Sequence, residues 1–100
     1  MQPELFVVGE MHGEVVATAM AGYEGHRGWV NYLAVSERCR RRGFGRRLMA
    51  HIEAQLTAMG CPKLNMQVRT GNAAALAFYE RLGYVPDKAV ALGKRLIPDP

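Results

Sequence analysis

Arg40-Arg41-Arg42-Gly43-Phe44-Gly45 joins an apolar strand to an amphipathic helix, and it constrains this chain more than any other stretch. A turn at a helix start leaves several backbone N–H groups without partners, at the positive end of the helix dipole. Glycines there let an anion approach with no Cβ in the way. The pattern R-x-x-G-x-G therefore predicts a cradle for a phosphorylated cofactor, although glycines after an arginine run also serve as a plain turn. Two familiar phosphate loops do not fit. The dinucleotide fingerprint needs a third glycine where Leu48 stands, and the Gly-Lys-Ser/Thr of a P-loop occurs nowhere.

The net charge of +4 is not spread evenly: six arginines (Arg38, Arg40, Arg41, Arg42, Arg46 and Arg47) fall within ten residues. Such a run serves nucleic-acid binding or is a solvated surface. Nucleic-acid readers usually add exposed aromatics, a recognition helix or a second basic face, and none is evident here, so nucleic acid is not an expected partner. The chain is 49% apolar and 22% charged over 100 residues, which predicts one globular domain over 1–100. No apolar run reaches membrane-spanning length. Met1-Gln2-Pro3-Glu4 lacks the basic lead and long apolar stretch of a signal peptide, so a cytoplasmic protein is expected. Cys39 and Cys61 have no ligand spacing and His12, His26 and His51 are scattered, so no metal site is expected.

Residues 5–8 and 15–21 read as strands around a tight turn at Met11-His12-Gly13. A glycine-rich turn at 22–28 leads to a central strand at 29–35, rich in β-branched and aromatic residues. Leu48, Ile52, Leu56 and Met59 mark one apolar stripe of a helix from about 43 to 59, stopped by Gly60 and Pro62. A strand at 64–68 follows, then a helix with Asn72 as N-cap that ends at Gly83. Residues 89–97 predict a last strand, with a short additional one at Tyr84-Val85. The expected fold class is α+β, in the order β-β-β-α-β-α-β. Its sheet is mixed and mostly antiparallel, with one parallel βαβ unit spanning the phosphate loop.

That order, with R-x-x-G-x-G at the mouth of the βαβ unit, resembles the GNAT superfamily of acyl-CoA-dependent N-acetyltransferases. The segment Asn72-Ala73-Ala74-Ala75-Leu76-Ala77-Phe78-Tyr79-Glu80-Arg81-Leu82-Gly83-Tyr84 is similar to the family's N-x-x-A-x-x-x-Y-E-x-x-G-F/Y signature. Leu33-Ala34-Val35 is similar to the strand that pairs with pantetheine. The resemblance covers residues 5–97, and it is nearest to small bacterial YpeA-like proteins and ribosomal-protein alanine N-acetyltransferases. It implies that amides from Arg41 through Arg42, Gly43, Phe44, Gly45 and Arg46 hold the pyrophosphate of acetyl-CoA, with Arg40 among the arginines near its phosphates. It further implies that Leu33 and Val35 pair with the pantetheine arm where parallel strands splay after Val35, and that Asn72 contacts that arm besides capping its helix.

Amine acetylation needs a neutral amine, donors for the oxyanion and a proton for the departing thiolate. By resemblance Tyr79 supplies that proton; by helical spacing with Ala75, Leu76 and Leu82 it is equally a packed aromatic. Two departures stand out. Gln67, in Met66-Gln67-Val68-Arg69, occupies the place where the alanine-acetyltransferase branch carries glutamate, and a glutamine takes no proton at neutral pH. Glu24, followed by His26 or a water chain, is then the expected base. The chain also starts at the hairpin, whereas family members begin with a strand and one or two helices. A homodimer that covers the edge strand at 5–8 is the expected consequence. The activity implied is direct acetyl transfer from acetyl-CoA to an amine acceptor. The alternative is a CoA-binding module without turnover, serving as sensor or assembly partner.

Overall fold

A computed structural model of the chain describes residues 4–87 and 90–98. Strand β1 (Glu4–Met11) turns back into β2 (Glu14–Tyr23) through His12 and Gly13, at φ 54° and 79°. Two successive left-handed residues make a hairpin turn whose twist matches that of its strands. Strand β3 (Gly28–Val35) follows, then one 3-10 turn at Glu37–Cys39 and helix α1 (Phe44–Ala58). Strand β4 (Leu64–Met66) completes a sheet of order β1-β2-β3-β4. The first three strands are antiparallel and β4 lies parallel to β3, so the mixed sheet and its βαβ unit are as the sequence predicts.

The contacts divide the chain into two compact units, Met1–Arg69 and Thr70–Pro100. In the first, α1 packs on one sheet face against β1, β2 and β3. Ala17, Ala19 and Ala21 of β2 are buried there, small enough for the helix to come close. Leu48, Met49, Ile52 and Leu56 of α1 are buried with them. Met59 departs from the expected stripe: it is the C-cap, past the last helical turn, and is exposed, while Met49 joins the core. Gly60, at φ 86°, ends α1 as expected. Its N–H donates to the Thr57 carbonyl and that of Cys61 to Leu56, the paired bonds of a Schellman stop.

Each of β2 and β3 carries one extra residue. The pair Gly9↔Ala17 is followed by Glu10↔Val15, which leaves Val16 over. Met20↔Tyr32 is followed by Ala21↔Val30, which leaves Asn31 over. Pairing of β3 with β4 covers only Gly28↔Leu64, Trp29↔Asn65 and Val30↔Met66. The two strands therefore part after Val30 and not after Val35, and β4 stops at Met66, short of the expected Val68.

The second unit holds helix α2 (Ala73–Arg81). Residues 84–87 and 90–98 form no strand, and Ala89, where the last one was expected to begin, lies outside the described residues. Val90, Leu92, Leu96 and Ile97 are all largely exposed, so their β-propensity meets no sheet to complete. Among the described residues no helix is long and apolar enough to cross a membrane, and no group of side chains could hold a metal ion.

Candidate active site

The phosphate loop is built by two left-handed residues. Arg41 has φ 67° and Gly43, the N-cap of α1, has φ 82°. The first intrahelical bond runs from the Arg47 N–H to the Gly43 carbonyl, so the amides of Phe44, Gly45 and Arg46 have no acceptor within the helix. Among the described residues no backbone carbonyl accepts from Arg41, Arg42 or Gly43 either. A run of open amides at a helix dipole's positive end fits an anion such as pyrophosphate. The Phe44 ring anchors the loop to the sheet: a Cβ on Gly9 of β1 would stand 3.1 Å from Phe44 Cδ1. Arg42 Nη1 donates to Met11 Sδ at 3.8 Å, while Arg38 is taken up by an ion pair with Glu14. Arg40, Arg41, Arg42, Arg46 and Arg47 are exposed around the loop.

The bulge at Asn31 decides where β3 offers its backbone. Before it, Gly28 N–H donates to the Lys63 carbonyl, so even-numbered residues face β4. After it, Ser36 N–H donates to the Val16 carbonyl, so even-numbered residues face β2. One extra residue has switched the parity. Leu33 and Val35 thus direct N–H and C=O away from β2, to the side where β4 has ceased to pair. Leu33 and Val35 stand near the C-terminal end of β3, and the loop at 40–46 follows it after the 3-10 turn.

Glu24 lies elsewhere. It is exposed in the turn between β2 and β3, its N–H bonded to the Arg27 carbonyl at 3.2 Å, at the opposite end of β3 from the loop. His26 is exposed in the same turn. Gln67 is exposed immediately beyond β4. Asn31 was not singled out by the sequence reading; its only signal there is a polar residue interrupting an apolar strand.

Tyr79 and Asn72 belong to the second unit. Asn72 Oδ1 accepts from the Ala75 N–H at 3.2 Å, the bond of an N-cap. Gly83, at φ 95°, closes α2 with Gly83 N–H to Glu80 and Tyr84 N–H to Tyr79. That motif brings Tyr84 edge-on to Tyr79, their centroids 5.8 Å apart, and Phe78 stands edge-on at 5.0 Å. Tyr79 is half-buried, and burial pushes its phenol above its ordinary range, which keeps the proton on the oxygen.

The Acetyltransferase (GNAT) family model matches residues 1–84. An acetyltransferase of Yersinia pestis (strain Pestoides F) is 48% identical over 97 residues, covering 97% of this chain and 69% of the relative. The Escherichia coli ribosomal-protein-S18-alanine N-acetyltransferase is similar in structure, with TM-score 0.74 and 32% identity over 80% of this chain and 52% of that one. The aminoglycoside acetyltransferase AAC(6')-Iy, in complex with the bisubstrate analog CoA-S-monomethyl-acetylneamine, shares the fold with TM-score 0.84 at 16% identity, covering 94% of this chain and 70% of its own. On sequence and fold together, the chain belongs to the GNAT family of acetyltransferases, N-acetyltransferases that use acetyl-CoA.

Proposed function

We propose that this chain transfers the acetyl group of acetyl-CoA directly to an acceptor amine, with the donor laid along β3. The observation that carries this reading is the parity switch at Asn31. It gives Leu33 and Val35 free backbone groups in line with the open amides of 41–46, as an added strand would need. In this pose the pyrophosphate lies on the amides of Arg41 to Arg46, with arginine side chains nearby supplying charge-assisted bonds. The pantetheine arm runs beside Val35 and Leu33 toward the bulge. Asn72 has its cap role and, by resemblance, a contact to that arm.

The amine lone pair adds to the thioester carbonyl carbon, the C–S bond breaks, and the sulfur takes the bonding pair. Tyr79 is the proposed donor of the proton that neutralises the thiolate; burial keeps that phenol protonated at neutral pH. The surplus amine proton leaves to solvent, directly or by way of Glu24, and solvent returns a proton to the Tyr79 phenolate. Glu24→Gln separates these routes, because turnover falls only if the carboxylate takes part. Neither Cys39, which is buried, nor Cys61 lies in this path, so no acyl-enzyme is invoked.

A homodimer is also part of the proposal. β1 is an edge strand, and on the face opposite α1 the side chains of Phe6, Val8, Trp29 and Tyr32 are exposed. Free-thiol release from acetyl-CoA across a panel of polyamines, aminoglycosides, amino acids and peptide N-termini tests the activity. Acceptor-dependent thiol release with an N-acetylated product is expected. Tight acetyl-CoA binding with no acceptor-dependent release would favour a CoA-binding module instead.

A further inference from the structure

We propose that the tip of the β1–β2 hairpin is the template that shapes the phosphate loop, with Glu14 as a positioning residue for the donor. This rests on the reading above, in which the pyrophosphate lies on the amides of 41–46. Ser36 N–H donates at 2.6 Å to the carbonyl of Val16, the extra residue of the β2 bulge. Arg38 pairs with the Glu14 carboxylate. Arg42 Nη1 reaches Met11 Sδ at 3.8 Å, and the Phe44 ring lies against Gly9. As the segment advances through 36, 38, 42 and 44, its partners retreat through 16, 14, 11 and 9. The contacts pass from β2, around the hairpin turn, to β1.

The loop needs a template because its own backbone does not hold it. Arg40 N–H closes the 3-10 turn on Glu37 at 3.3 Å, and the next backbone bond along the chain is Arg47 N–H to Gly43 at 3.0 Å. The amides of 41–46 between them are the ones left for an anion, so they contribute nothing to the loop's own shape. Two residues of that stretch, Arg41 and Gly43, are left-handed. Glycine adopts that conformation freely, whereas the Cβ of an arginine makes it costly. Arg41 is held there from outside, by the contacts of Arg38 before it and of Arg42 and Phe44 after it.

Glu14 makes the idea decidable by sign. It brings a negative charge to the approach of an anion site, and its field alone opposes phosphate binding. Its pairing with Arg38 acts the other way, because the apparent affinity for a ligand falls with the fraction of molecules whose binding conformation is formed. If the field dominates, removing the carboxylate tightens CoA. If the template dominates, removing it loosens the loop and weakens CoA. The geometry favours the template: Arg38 neutralises the carboxylate directly, and both side chains are exposed, where water and salt screen what field is left.

The test measures CoA binding to the whole chain by calorimetry. Glu14→Gln and Arg38→Gln should each weaken CoA about two- to fivefold, the worth of an exposed ion pair. The double variant should bind no more weakly than either single one, because both remove the same contact. In the free protein the Arg47 N–H, whose bond to Gly43 closes the loop, should exchange faster in Glu14→Gln than in the wild type. The Cys61 N–H, bonded to Leu56 at the other end of α1, should keep its rate. CoA that binds Glu14→Gln as tightly as the wild type, or more tightly, would overturn the inference while the donor site stands. Losses that add in the double variant, or an unchanged Arg47 rate, would overturn it equally. No binding of CoA to the wild type would overturn the donor site and the inference together.

Discussion

Gly28 shows how one missing side chain sets the register of the site. A Cβ there would lie 2.9 Å from Leu56 Cδ1, 3.1 Å from Cys61 Sγ and 3.2 Å from Leu64 Cδ1. Leu56 is buried and three side chains crowd the same point, so Gly28→Ala should cost about 1–3 kcal/mol in denaturant unfolding. That alanine also restricts the unfolded chain, an opposing gain of about 0.4–1 kcal/mol; an unchanged midpoint would mean the end of β3 is looser than this packing implies. Tyr79 is the residue on which the chemistry turns. Tyr79→Phe keeps the ring and removes the proton donor, so turnover should fall about 10²–10⁴-fold with acetyl-CoA affinity nearly unchanged. Retained turnover, with chemistry rate-limiting, would make Tyr79 a packing aromatic. Its raised pKa adds a sign that can be checked. The stabilisation from holding this phenol neutral is fully present below the unfolded value of about 10. It is lost as pH rises through the higher folded value, so Tyr79→Phe should flatten the alkaline loss of stability.

Elements were legible wherever a local signal fixed them. The apolar stripe and Gly60 locate α1, and Asn72 with Gly83 brackets α2, because caps and helical periodicity act within a few residues. The bulge at Asn31 was not legible, since Trp29-Val30-Asn31-Tyr32-Leu33 reads as plain strand and only pairing with β2 shows which residue is left over. The early parting of β3 and β4, after only three pairs, is likewise a tertiary outcome. The strand expected at 89–97 rested on Val90, Leu92, Leu96 and Ile97 alone, and propensity without a partner edge makes no strand. Among the proposed site residues, the loop was readable from its glycines, whereas the outward direction of the Leu33 and Val35 backbone groups follows only from the bulge. The loop's proposed role predicts that saturating acetyl-CoA raises the melting temperature. At a hundredfold excess over Kd the gain is about 2.7 kcal/mol. Gly45→Asp should abolish it by placing a carboxylate among the first-turn amides; an undiminished shift in that variant would move the donor away from this loop.

At the scale of the whole molecule, the sheet is covered by α1 on one face, while Phe6, 62% exposed, and Tyr32, 40% exposed, stand on the other. They belong to one cross-strand row through Met20, since Phe6 pairs with Met20 and Met20 with Tyr32. An apolar row that ends on an edge strand suits association with a second copy. Sedimentation at micromolar concentration should give twice the chain mass of 11.1 kDa, and Phe6→Lys should return it to the monomer. A wild-type monomer would refute the dimer. The central claim is that acetyl-CoA lies along β3 with its pyrophosphate on the loop. Amide hydrogen exchange, with and without CoA, tests it most directly. The account predicts slowed exchange at Leu33, at Val35 and from Arg41 to Arg46; saturating CoA that left these amides unprotected would contradict it.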